Sequence, residues 1–200
     1  MHTINKDVIS YRSATLDFSK ILRAMIAIIP VKLSERLPGK HLMKIGGKAI
    51  IEHVHDKVSK VFETFIYSKV ELPLPFISDN SPNIMSLIYN LSKNYGSFAL
   101  IGGDMPFFTV EDLNTLKAAY NGHPVVPSDG EGDYEPMFSI YAGEPEPTKN
   151  LREALLTDNT VYIPRKSFSQ NAFFNINTKG DFDQAVKIHE DLKKTGKIKK

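Results

Sequence analysis

Three cations, Lys32, Arg36 and Lys40, fall within nine residues of one another, with Ser34 and the pair Pro38-Gly39 between them. An arginine grips a phosphate through two parallel N–H bonds and a lysine acts as a point charge, so a loop of this composition suits a polyphosphate. A solvated loop charge is the alternative for any one of them, Lys32 above all, because it lies just past a strand. Asp104 follows Gly102-Gly103 at the end of the apolar run 97–101. A hard carboxylate there suits Mg²⁺, which takes one or two carboxylates and completes its shell with substrate phosphates and water. The alternative is a strand-end aspartate that caps a turn. Asp79 closes a short apolar stretch and opens Asp79-Asn80-Ser81-Pro82, a sequence equally suited to a turn. Asn175 and Asn177 alternate with Phe174 and Ile176, so on a strand their amides face one side and can bind a substrate or a neighbouring loop. His53 and His55 stand two apart on a helix and do not share a face, so a zinc site is not expected.

The elements that must position these groups follow from the apolar pattern. Met25 to Ile29 is β-branched and uncharged, as in a buried parallel strand, and Pro30 is expected to end it. Gly46-Gly47-Lys48 turns the chain into a helix over 49–61. Strands are expected at 64–68, 73–79, 97–101, 124–127, 161–164 and 173–178. Helices are expected at 83–93, at 109–120 behind a Thr109–Asp112 capping box, at 149–156, and at 179–194 behind a Thr178–Asp181 box. Strands alternating with helices predict an α/β fold with a mostly parallel central sheet. A strand, a basic loop and a helix in that order place a polyphosphate at the carboxyl end of such a sheet. The loop is neither G-x-x-x-x-G-K-[ST] nor G-x-G-x-x-G.

Several pieces resemble one known family. Arg36-Leu37-Pro38-Gly39-Lys40-His41-Leu42 and Ile45-Gly46-Gly47-Lys48 are similar to the triphosphate-wrapping loop of the sugar-nucleotide and molybdenum-cofactor nucleotidyltransferases. The first loop, I-P-V-K-x-S-x-R-L-P-G-K, is nearer the cytidylyltransferase form than the glycine-rich guanylyltransferase form. Gly103-Asp104-Met105-Pro106-Phe107 resembles the guanylyltransferases' C-D-M-P-F, Glu135-Pro136-Met137-Phe138-Ser139-Ile140-Tyr141 their [EQ]-P-L-x-x-x-Y, and Phe174 to Asp181 their F-x-N-[VI]-N-T-P-E-D-L. The pieces occur in the family's order between residues 25 and 188. The chain is identified as a member of the molybdenum-cofactor guanylyltransferase-like (MobA-like) nucleotidyltransferases. The resemblance implies a Rossmann-like three-layer α/β/α, GT-A-like fold over 25–200; residues 1–24, which show no pattern and precede the first strand, are expected to be a dispensable extension of unknown role. It implies that Lys32, Ser34, Arg36 and Lys40 hold the nucleotide, and that Asp79 lies near its ribose or base. Asp104 would bind Mg²⁺, with Lys40 and Arg36 sharing catalysis, and Glu135, Asn175 and Asn177 would meet the acceptor.

The chemistry so implied is attack by an acceptor phosphate oxygen on the α-phosphate of a nucleoside triphosphate, with loss of pyrophosphate. An anionic nucleophile needs no general base. GTP is expected over CTP, with a phosphorylated pterin as acceptor, because the divergent loop meets phosphates that all nucleotides share. A cytidylyltransferase for an acidic sugar and a degenerate nucleotide-binding protein are the alternatives. The rest of the composition narrows the field. A net charge of +2 without a basic, aromatic stripe gives no reason to expect nucleic acid. The absence of cysteine excludes disulfides and a thiol nucleophile. No apolar run approaches the roughly 20 residues that span a bilayer, so a cytoplasmic location is expected.

Overall fold

In the computed structural model, residues 25–130, 132–145 and 150–196 are described. The 1–24 segment lies outside them. Nine strands and five helices are present among the described residues. Seven strands form one sheet in the order β5-β4-β1-β6-β8-β7-β9: β5 is Ile77–Ser78, β4 Glu63–Ser68, β1 Ile26–Val31, β6 Ser97–Ile101, β8 Phe138–Ala142, β7 Val125–Pro127 and β9 Val161–Ile163. All pairings are parallel except those of β8, which runs against both β6 and β7.

Alternation along the two central strands builds both faces of the core. Ala27, Ile29 and Val31 of β1, with Ala99 and Ile101 of β6, pack against helices α1 (Ile50–Val58) and α3 (Val110–Ala118). Ile26, Ile28, Phe98 and Leu100 face α2 (Ile84–Tyr95) and α4 (Leu151–Leu155) on the other side. The expected three-layer α/β/α arrangement results. Ile28 and Leu100 are fully buried, and truncating either to alanine carries a cost of about 2–5 kcal/mol. A third cluster, with Ile45, Ile50, Phe107 and Ile176, lies under α5 (Lys179–Lys194).

The helix starts follow the sequence closely. Asn83 caps α2 through its side chain, and Thr109 with Asp112 and Thr178 with Asp181 form capping boxes for α3 and α5. Three expectations need correction. Pro30 does not end β1, which pairs with β4 as far as Val31↔Ser68. Pairing with β6 stops at Ile28, so beyond it the strand has one partner and tolerates a residue without a donor. Gly46-Gly47 does not lead directly into a helix. It closes a hairpin of β2 (Lys44–Ile45) and β3 (Lys48–Ala49), and both glycines take the positive φ (60° and 86°) that a two-residue hairpin turn requires. Finally, 173–178 is not a strand. Among the described residues, its one long-range backbone bond is Ile176 N–H to the Asp104 carbonyl (3.1 Å).

Candidate nucleotide-binding and transfer site

The carboxyl ends of β1 and β6 lie side by side, and the loops that leave them carry the residues singled out by their chemistry. After β1 the chain is mostly exposed from Lys32 to Pro38, with Ser34 and Leu37 half-buried. Gly39 then takes a left-handed φ of 70° and starts a 3-10 turn over Lys40–Leu42. That turn drives Lys40 inward. Its side chain is 7% exposed, and its ammonium donates to Asp104 Oδ2 at 2.6 Å and to Asn177 Oδ1 at 2.9 Å. A charge-assisted bond this short is among the strongest polar contacts a protein makes. The partners lie 64 and 137 residues away in sequence, so the whole fold is needed to assemble this trio.

Asp104 keeps 20% of its side chain exposed. No hydrogen bond to its Oδ1 occurs among the described residues. The glycine before it has a packing reason: a Cβ on Gly103 would stand 3.2–3.4 Å from Val31, Ile29 and Ile51 side chains. Gly103 lets the loop sit on β1 and α1.

Around the trio, the other expected residues divide. Lys32 stands close enough to Asp79 and Asp104 to feel both. Burial holds its ammonium below the usual lysine value, helped by Lys69 and opposed by the two carboxylates. Ser34 accepts a bond from Leu37 N–H and shapes the loop (3.2 Å). Arg36 is exposed and contributes to the field at Asp181, whose carboxyl is lowered first by the backbone N–H of Asn177. Asp79 accepts the Ser81 N–H (2.9 Å) as a turn residue, while Tyr67, Asn80 and Asn90 line a cleft of about 300 Å³ beside it.

The two asparagines expected to share a face do not, because the segment is irregular and period-two alternation fails. Asn177 turns to Lys40, whereas the Asn175 amide donates locally to the Phe173 carbonyl (3.2 Å). Glu135 is brought close to the same end of the sheet by the reversal of β8: Gly102 N–H donates to the Met137 carbonyl at 2.7 Å. Its carboxylate is engaged by Arg165, which also faces Asp129 (3.6 Å) and Asp133 (3.7 Å) and lies over the Phe173 ring. Burial raises the Glu135 carboxyl, and Arg165 opposes that rise. A cleft of about 480 Å³ opens beside Arg165, lined by Lys166, Phe168, Gln170 and Phe174 among others.

Sequence reasoning did not single out Lys57, His41 or Arg165. Lys57 follows α1 into the core, donates to the Pro106 carbonyl and sits 5.2 Å from the Phe108 ring centre. Burial brings its ammonium down to about 8. His41 is buried, and its Nδ1 lies 3.3 Å from the Gly103 carbonyl. A lysine or histidine inside an apolar helix face gives no sequence signal beyond an interruption of the pattern.

Among the described residues, no helix is long and apolar enough to cross a membrane, and no cluster of three or more His, Asp or Glu forms a metal cage. Among known proteins, the model of the MobA-like NTP transferase domain matches residues 33–166. The fold is similar to a molybdopterin-guanine dinucleotide biosynthesis protein A from Archaeoglobus fulgidus, with a TM-score of 0.60, 25% identity, and coverage of 82% of this chain and 99% of that one. It is also similar in fold to a cytidylyltransferase from Leptospira borgpetersenii (TM-score 0.60, 12% identity, 87% and 95% covered). A third likeness of fold is to the 2-C-methyl-D-erythritol 4-phosphate cytidylyltransferase of Thermus thermophilus (TM-score 0.54, 11% identity, 83% and 99% covered). None of the curated proteins matches the chain. The matched model spans residues 33–40 of the basic loop, the Asp104 loop and the β8 strand that brings Glu135 toward them, so this chain belongs to the MobA-like NTP transferase domain family and is a nucleotidyltransferase.

Proposed function

We propose that the chain transfers GMP from GTP to a phosphorylated acceptor of the molybdopterin type, releasing pyrophosphate, with residues 25–200 acting as a single domain. One observation carries the assignment of the site: the buried Lys40–Asp104 pair at the carboxyl ends of β1 and β6. A lysine held by one carboxylate and one amide can exchange those partners for a phosphate at small geometric cost. Lys32 and Arg36, on the exposed loop above it, add charge where the β- and γ-phosphates would lie. An acceptor phosphate oxygen attacks the α-phosphorus, the bond to the β-phosphate oxygen breaks, and the charge that builds on pyrophosphate is met by these cations.

The residues present fit Mg²⁺. Mg²⁺ needs only one or two carboxylates when phosphates and water supply the rest, and Asp104 offers an oxygen outside its bond to Lys40. When bound, the metal neutralises phosphate charge; Asp104 is the residue that would hold it. Asn177 orients Lys40, a role nearer the donor than the acceptor. Glu135, Asn175 and the cleft beside Arg165 flank the opposite side, where the acceptor would enter.

The choice of GTP rests on the G-D-M-P-F, E-P-M-F-S-I-Y and N-I-N-T segments and on the family match. The first loop favours a second reading, a cytidylyltransferase. Thermal shifts with GTP, CTP, ATP and UTP in Mg²⁺ decide between them. GTP is expected to give the largest stabilisation, and a larger shift with CTP would overturn the assignment.

A further inference from the structure

The segment that presents Asp104 has its backbone carbonyls occupied almost without a gap. Gly102 accepts from Met105 N–H (3.4 Å), Gly103 from His41, Asp104 from Ile176 N–H (3.1 Å) and Pro106 from Lys57. Three of these donors come from distant parts of the chain, and only His41 comes from the phosphate loop itself. His41 is 6% exposed, and its ring also meets the backbone of Lys32. A carbonyl accepts only from N–H, so Nδ1 carries the hydrogen in this contact. His41 is the covalent neighbour of Lys40, and Gly103 is the covalent neighbour of Asp104. One hydrogen bond therefore joins the residues next door to the two members of the ion pair, and the same ring touches the start of the cationic loop.

We propose that His41 is a positioning residue for the transfer reaction, a strut that fixes the spacing between the loop bearing Lys40 and the loop bearing Asp104 by donating Nδ1–H to the Gly103 carbonyl. This rests on the assignment of Lys40 and Asp104 to the reacting phosphates. His41 touches neither substrate nor metal. Its effect is on geometry, where displacements of about 1 Å can lower a rate as much as 10²-fold. Misplacement of charges that act on the transition state lowers kcat, whereas ground-state binding of the nucleotide, shared with the exposed loop, changes less.

The test compares three substitutions. The side-chain amide nitrogen of asparagine falls near the position of histidine Nδ1, and that of glutamine near Nε2. His41→Ala is expected to lower kcat on the order of 10- to 10²-fold with a much smaller change in KM for the nucleotide. His41→Asn restores the donor toward Gly103 and is expected to recover most of the loss, while His41→Gln, whose donor falls near the Nε2 position and not that of Nδ1, recovers less. If the alanine variant does not fold, the asparagine–glutamine comparison, normalised to folded protein by melting curves, still decides. Wild-type kcat in His41→Ala, or equal impairment in Asn and Gln, overturns the proposal. Asp104→Asn is assayed in parallel. If that variant turns over normally, the site assignment falls and the strut with it; if it is inactive while His41→Ala is normal, only the strut falls.

Discussion

Two cations sit among carboxylates at the carboxyl end of β1 and β6, and they are held in opposite ways. Lys40 is almost fully buried and faces one carboxylate and one neutral amide. Arg165 is 23% exposed and faces three carboxylates, Asp129, Asp133 and Glu135. Each Lys40 partner is a single bond that a phosphate can replace, and releasing Asp104 frees a carboxylate for a metal. Arg165 is already engaged by several carboxylates, so it is not released to a ligand by the exchange of a single partner. The contrast separates a cation available to a ligand from a cation used to tie β8, β9 and the 165–174 loop together. Charge count alone would have ranked arginine first.

The largest effect expected from breaking this contrast is at Asp104. Asp104→Asn keeps an acceptor for Lys40 but removes the negative charge, so Mg²⁺-dependent transfer should be abolished at a stability cost of about 1–3 kcal/mol, with the fold retained; normal turnover would show Asp104 to be a turn residue. Lys40→Ala comes next. It should lower the transfer rate on the order of 10²-fold, the size of one lost charge-stabilising contact. Lys48→Ala is its control, because Lys48 pairs with Asp56 on the hairpin side. Equal losses in the two variants would mean that general positive charge suffices.

Lys57 gives a stability prediction on the buried side. Its folded value of about 8 lies below the lysine reference of 10.5, so between those values the unfolded chain binds more protons and stability rises with pH. Denaturant midpoints measured from pH 8 to pH 10 should show that rise, and Lys57→Met should flatten it; an unchanged slope would place the ammonium in water. The smallest effect is expected at Arg165. Glu135→Gln should leave the KM for the nucleotide unchanged and cost about 1–3 kcal/mol in stability, as for a partly buried charged bond. A large rise in nucleotide KM would put Glu135 on the donor side and dissolve the distinction.

The scaffold was legible where its causes are local. The uncharged run before Pro30 and the run 97–101 both became central strands, and the capping boxes at Thr109 and Thr178 marked helix starts to the residue. The β2–β3 hairpin was missed because two-residue strands carry no alternation to read. The 173–178 segment has strand-like alternation, yet its one backbone bond to the Asp104 loop is all the pairing it finds. The candidate site was legible only in part. Lys40, Asp104 and Asn177 were each singled out by residue type and place, but that the three meet was not, since a side-chain contact across 137 residues leaves no local trace. Arg165 was invisible for the same reason: its meaning lies in three carboxylates that only the sheet order brings near.

That sheet order has a consequence for how such a protein can diversify. Because β8 alone is reversed within the seven-stranded sheet, the stretch just before it, 132–137, emerges at the same end as the loops after β1 and β6 while belonging to a different part of the chain. Insertions or exchanges in that stretch leave β1, β6 and the 32–40 loop untouched. On the proposed assignment, a lineage can thus retool what it modifies while inheriting unchanged the loops that would hold the nucleotide.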